Sequence, residues 1–212
     1  MINIFFDLDG TLIDSKLRLY KLFQFLINES KLSFNEYWEL KKNKIGHEKI
    51  LTDLFNYDTD RINNFKRKWL LLIENEELLS YDTPFEGVTP FLNNLNTRSD
   101  KNLFIVTARQ FKQKTFTQIE SFGWDNIFRQ ILVTCAKHEK HSLINCSIKI
   151  SNSDWFIGDT GKDIQTGKVL GINTCAVLSG FLSEEKLLEY QPDLIINNVV
   201  EFKLDNFIKL NS

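Results

Sequence analysis

The chain predicts an α/β fold, a three-layer sandwich with a mainly parallel sheet that is interrupted near its start by a block of four helices. Three observations carry this expectation. Beyond about residue 84, short apolar runs of strand length alternate with helical stripes, the pattern of βαβ units whose sheet is covered on both faces. A strand-like run, Ile4-Phe5-Phe6, stands alone at the start. Between the two, from about Asp14 to Leu79, apolar residues recur at helical spacing and no strand is visible. With 212 residues, 42% of them hydrophobic, the chain can bury one sizeable core and a smaller inserted unit.

The elements follow in order. Ile4 to Phe6 reads as a buried strand because bulky and β-branched side chains fit a sheet interior, and Gly10 marks the turn beyond it. Lys16 to Ile27 carries a stripe at Leu19, Leu22, Phe23, Leu26 and Ile27. Ser33 to Glu36 has the form of a capping box, opening a helix whose apolar face starts at Phe34, Tyr37 and Trp38. After a break at Ile45-Gly46, a third helix contains Ile50, Leu51, Leu54 and Phe55. A longer fourth helix starts near Asp58 or Thr59 and runs through Trp69 to Leu79. Four one-sided helices can close a small core of their own. Ser80 to Gly87, with Pro84, is the clearest linker. The expected division is therefore 1–13 and 84–212 as the α/β unit, with 14–83 inserted.

Past the linker, helices are expected over Val88–Leu95, Phe111–Phe122 (closed by Gly123), His141–Cys146, Ile164–Leu170 (closed by Gly171) and Leu187–Tyr190, with another from Val199 onward. Strands are expected over Leu103–Val106, Ile131–Val133, Trp155–Ile157, Thr174–Leu178 and Leu194–Ile196.

Charge and composition exclude some functions. The net charge is -2, and no basic stripe is visible, which argues against nucleic acid as a partner. Cys135, Cys146 and Cys175 show no metal spacing and suit buried thiols in a reducing compartment. No run approaches the roughly 20 apolar residues of a membrane span, and no basic leader precedes an apolar segment, so a cytoplasmic protein without a membrane partner is expected.

In an open parallel sheet, ligands bind beyond the carboxyl ends of the strands. Those ends carry Asp7 and Asp9, then Thr107, then Gly158-Asp159-Thr160 with Asp163 one turn on. Carboxylates beside a core cost several kcal/mol unless a cation or donors meet them, so they ask for a metal or for chemistry. His138 and His141 read as surface residues.

These motifs resemble the haloacid dehalogenase-like hydrolases of the phosphoglycolate phosphatase and β-phosphoglucomutase type, over nearly the whole chain. Asp7-Leu8-Asp9-Gly10-Thr11 is similar to their DxDGT motif, Phe104-Ile105-Val106-Thr107 to a strand ending in Thr or Ser, and Gly158 to Asp163 to GDTxxD. The resemblance implies a Rossmann-like sandwich with the helical block as a cap, and a Mg2+-dependent phosphatase acting on a small phosphorylated metabolite. It implies Asp7 as nucleophile, forming an aspartyl-phosphate, and Asp9 as general acid and base. Mg2+ would rest on Asp7, Asp159 and the Asp9 backbone carbonyl, with Asp163 and Thr11 in support. Thr107 and the backbone at Ala108 would bind phosphate, with a lysine balancing charge: Lys140 by preference, Lys137 as the alternative. Relatives often have Asn after the threonine, where this chain has Ala108-Arg109. Arg109, Lys16 and Arg18 are thus candidates for contact with the substrate, and the polar bend Ile45 to Lys49 is another segment that can face the site. The rival readings are a phosphosugar mutase on the same core and a catalytically silent binding protein.

Overall fold

The computed structural model describes residues 1–203. The strand β1 (Ile2–Phe6) leads through a two-residue strand β2 (Ile13–Asp14) into five helices: α1 (Lys16–Leu26), α2 (Phe34–Lys42), α3 (His47–Phe55), α4 (Thr59–Leu72) and α5 (Glu76–Leu79). The chain returns through β3 (Thr83–Pro84) and then alternates: α6 (Val88–Asn96), β4 (Lys101–Thr107), α7 (Lys112–Ser121), β5 (Gln130–Val133), α8 (Lys140–Ser147), β6 (Trp155–Gly158), α9 (Gly161–Leu170), β7 (Asn173–Val177), α10 (Glu184–Leu188) and β8 (Leu194–Ile196).

Alternation along β1 explains why the sheet has two covered faces. Ile4 and Phe6 point into a cluster with Leu92, Ile105, Ile119 and Trp124, whereas Phe5 points the other way onto Phe104, Ile144 and Phe156. The sheet order is β5-β4-β1-β6-β7-β8 with every pairing parallel. Setting aside the β2–β3 ribbon, this is the doubly wound order 3-2-1-4-5-6, whose direction reverses beside β1. The carboxyl ends of β1, β4 and β6 therefore meet at the crevice.

The inserted helices have their own core, built around Phe23, Tyr37, Trp38, Ile50, Leu51 and Phe65. The capping box at α2 is formed: Ser33 N–H donates to Glu36 Oε2 at 2.8 Å, and Glu36 N–H donates to Ser33 Oγ at 3.3 Å. Several expectations need correction. The single helix expected from Asp58 to Leu79 is broken at Ile73 to Asn75, because Glu74 turns inward to accept N–H bonds from Gln110 and Phe111 at 2.7 and 3.1 Å. The expected linker contains β3, which pairs antiparallel with β2 (Ile13 with Pro84, Asp14 with Thr83). A proline is tolerated in so short a ribbon because it lies at an edge.

The expected terminal helix starts as a single 3-10 turn, Val199–Glu201, and its continuation lies outside the described residues. Of the three cysteines only Cys175 is buried; Cys146 is exposed and Cys135 intermediate. His47, from the polar bend that can face the site, instead opens α3 inside the aromatic core. Its Nε2 lies 2.8 Å from Tyr37 Oη and its ring 4.2 Å from that of Trp69, and burial, with the nearby Lys41 charge, pushes its pKa down to about 3. Among the described residues, no helix is long and apolar enough to cross a membrane.

Candidate active site

Two strand ends and the start of a helix deliver the acidic residues. Asp7 directly follows β1 and is still tied to β6 by its N–H to Ile157 O at 2.9 Å. Asp159 follows β6, and Asp163 lies in the first turn of α9, where its Oδ2 accepts from Thr160 N at 3.0 Å and Thr160 Oγ1 at 2.6 Å. Each of the three offers an oxygen within 4.8 Å of the others, and all are buried. Lys140, the first residue of α8, reaches between them: its Nζ donates to Asp7 Oδ1, and to Asp163 Oδ1 at 2.6 Å. Lys137 is exposed and borders a neighbouring cavity, so Lys140 is the lysine that meets Asp7.

The charges do not balance. Three carboxylates face one ammonium, and burial pushes the Asp7 pKa up to about 7 against the lowering influence of Lys140. Asp159 is also raised, by burial first and then by the charges of Asp7 and Asp163. Burial would lower the Lys140 ammonium, but Asp163 and Asp7 hold it above its ordinary range. A divalent cation fits this oxygen-rich donor set, since it cancels the excess negative charge and prefers carboxylate oxygens. Two glycines keep the space: a Cβ at Gly10, where φ is +86°, or at Gly180 would run into the Asp159 carboxylate. Thr11 Oγ1 lies 3.4 Å from Asp159 Oδ1, and Phe181 N–H donates to Asp159 Oδ2 at 2.9 Å.

Asp9 faces elsewhere, into a second buried cluster. Arg109 Nε donates to Asp9 Oδ2 at 2.8 Å and Arg109 Nη2 to Asp9 Oδ1 at 2.9 Å. Arg18 Nη2 also meets Asp9 Oδ1. The same two guanidinium groups grip Asp82, through Arg18 Nε at 2.9 Å and Arg109 Nη2 at 3.0 Å. Burial would raise the Asp9 carboxyl, but the Arg109 and Arg18 charges outweigh it and hold the group below its ordinary range. Burial pushes Asp82 up to about 6. Asp9, two residues after Asp7, thus turns away from it to bond these arginines.

A cavity of about 360 Å3 joins the two clusters, with Asp7, Lys140, Thr107 and Ala108 on one side and Arg18 and Arg109 on another. Thr107 is buried, and its Oγ1 accepts from Arg109 N at 3.4 Å. The candidate substrate contacts are relocated. Lys16 lies outside the lining and donates to Ser179 O at 2.8 Å. Arg18 and Arg109 border the cavity, but their charges are taken up by Asp9 and Asp82. A solvated Arg109 is excluded, because only 4% of it is exposed.

Asp82, Glu74 and the Ser179-Gly180-Phe181 segment escape a sequence reading. Asp82 sits among ordinary turn residues and Glu74 inside a helical pattern. The segment follows β7, so the strand-end rule points to it, but its side chains announce no chemistry.

The sequence model of the haloacid dehalogenase-like hydrolases matches residues 4–177. The chain belongs to this family. As a haloacid dehalogenase-like hydrolase it is an enzyme, and its likeness to relatives extends over full length. It is 29% identical to the PpaX protein of Clostridium perfringens, covering 99% of this chain and 98% of that one. It is 24% identical to the pyrophosphatase PpaX of Oceanobacillus iheyensis, covering 93% and 92%. Among solved structures, a haloacid dehalogenase-like family hydrolase from Streptococcus pneumoniae superposes with a TM-score of 0.76 at 20% identity, covering 100% of this chain and 99% of that one. The last likeness shows the shared fold.

Proposed function

We propose that this hydrolase removes a phosphoryl group from a small phosphate ester or diphosphate, through an intermediate on Asp7. The observation that carries this is the placement of a buried carboxylate, Asp7, beside Lys140 and two further carboxylates, opening on a cavity bordered by Thr107. An Asp7 oxygen attacks phosphorus in line as the bond to the leaving oxygen breaks, and Asp9 gives that oxygen its proton. Water then attacks the aspartyl-phosphate and passes a proton to Asp9, which frees Asp7 and releases phosphate. Lys140 and the Thr107 hydroxyl hold phosphate oxygens, with backbone N–H groups around Ala108. Asp7 and Asp159 would hold Mg2+ with the Asp9 carbonyl, and Asp163 would support them. There the ion supplies positive charge between the anionic carboxylate and the anionic phosphate.

Asp9 can serve the leaving oxygen only when Arg18 and Arg109 release its carboxylate. Arg18 belongs to the inserted helices, so residues 14–83 act as a cap whose movement exchanges the partners of Asp9. The pyrophosphatase named among the relatives and the phosphoglycolate phosphatase named for a similar fold support a small, strongly anionic substrate.

The test is phosphate release from p-nitrophenyl phosphate and inorganic diphosphate with Mg2+ or a chelator. Asp7→Asn is expected to lower kcat by about 10³-fold or more while the folded protein persists in circular dichroism. Undiminished turnover by that variant, or a rate indifferent to chelation, overturns the reading. Isomerised phosphosugar in place of free phosphate would instead establish a mutase.

A further inference from the structure

We propose that a second anionic group of the substrate, a phosphate or carboxylate beyond the scissile phosphoryl, is held by Lys162 and Lys137 in the cavity beside Lys140. This rests on the phosphatase reading above and names the wall that selects its substrate.

Charge decides between the two walls of the crevice. On the arginine wall, Arg18 and Arg109 are already gripped by Asp9 and Asp82, and the Glu74 carboxylate also acts on Arg109. With both guanidinium groups already engaged by carboxylates, and Glu74 close to Arg109, that wall offers a further anion no uncommitted cation. On the opposite wall, a cavity of about 370 Å3 is bordered by Lys137, His138, Glu139, Lys140 and Lys162. Lys162 and Lys140 border this cavity and the one containing Asp7 alike, so the two adjoin along these lysines. Among the described residues, the ammonium groups of Lys137 and Lys162 make no hydrogen bond or ion pair. Two uncommitted cations thus face one carboxylate, Glu139.

Two further features are hard to explain by stability. Lys162 is the second residue of α9, where the helix dipole disfavours a cation. It lies one residue before Asp163 and directly beside both cavities. The loop that carries Lys137 is also strained: Cys135 and Ala136 both lie in the left-handed region, with φ of 54° and 53°, a conformation that non-glycine residues adopt at a cost. The loop is held over the end of β4 by Thr134 N–H to Thr107 O and Cys135 N–H to Arg109 O, each 3.0 Å. The strain therefore sets Lys137 beside the phosphate-binding strand end.

The experiment compares wild type, Lys162→Gln, Lys137→Gln and the double variant on inorganic diphosphate, phosphoglycolate and p-nitrophenyl phosphate. Lys168→Gln, on the last turn of the same helix, is the control. In the double variant, kcat/KM for a doubly anionic substrate relative to the aryl phosphate is expected to fall about tenfold, mostly through KM, with each single variant near threefold. The control keeps the ratio of the wild type. Loss on diphosphate alone or on phosphoglycolate alone identifies the second anion as phosphate or carboxylate. A ratio unchanged by the double substitution overturns the proposal. Calorimetric titration of inorganic diphosphate in Mg2+ buffer reads the same site without turnover. If the wild type hydrolyses none of the substrates, the phosphatase reading fails. Diphosphate affinity that is then also indifferent to both lysines overturns this inference separately, and a tenfold loss upholds it.

Discussion

Two buried charge clusters lie within a few residues of each other, and they are built on opposite principles. Around Asp7, three carboxylates share one ammonium, and burial pushes Asp7 up toward neutrality. Around Asp9, two carboxylates interlock with two guanidinium groups, and the Asp9 carboxyl is held low. The first cluster carries a charge excess that a bound cation can relieve. The second is matched in charge within the chain and ties together the end of β1, the loop after β4 and the inserted helices. A buried charge is thus informative chiefly through its balance.

The contrast can be broken most forcefully in the paired cluster. Arg109→Ala leaves Asp9 and Asp82 facing Arg18 alone, and a loss of about 3–5 kcal/mol is expected in chemical denaturation, typical of a buried pair deprived of one partner. A loss below about 1 kcal/mol would show the cluster to be open to water.

The acid-rich cluster should respond to metal in the opposite sense. Mg2+ at a hundred times its dissociation constant stabilises by about 2.7 kcal/mol, which corresponds to roughly 5–10 °C in Tm for a chain of this size. The gain depends on pH. The Asp7 pKa rises from 3.8 in the unfolded chain to about 7 in the folded one. The metal-free native state therefore holds a proton that the unfolded chain releases, and its stability falls as pH climbs from about 4 to about 7. Asp82, raised to about 6, adds in the same direction. The Mg2+ shift in Tm should accordingly be larger near pH 8 than near pH 5, as read by differential scanning calorimetry. An equal shift at both would refute the charge-excess account.

The smallest expected effect lies between the clusters and the helical insert. Glu74 caps the chain entering α7 through Gln110 N–H and Phe111 N–H. Glu74→Gln removes the charge and retains one acceptor, so a loss of about 1 kcal/mol is expected in the same denaturation experiment.

Much of the site could be read along the chain because its residues sit at ends of strands, and strands announce themselves by short apolar runs. Asp7, Thr107 and Asp159 each follow such a run directly. Lys140 was harder, since two lysines precede the helix that it opens and only the geometry separates them. Arg18 and Arg109 illustrate a different limit. Their sequence positions near the strand-end motifs suggest substrate contact, yet their partners, Asp9 and Asp82, lie up to 100 residues away in the chain. Glu74 was hidden inside an amphipathic pattern that continues across the break it causes. Periodicity records which side is apolar and carries no information on a single polar residue drawn out of register by a distant helix end.

By itself, the sequence determined the alternation of elements, the interruption after the first strand and the convergence of carboxylates at strand ends. These follow from local patterning and from the geometry that any parallel sheet imposes. Only the tertiary structure decided which charges neutralise one another, because pairing depends on distances between segments remote along the chain. That decision separates Asp7, left in an unbalanced cluster, from Asp9, two residues away and fully paired.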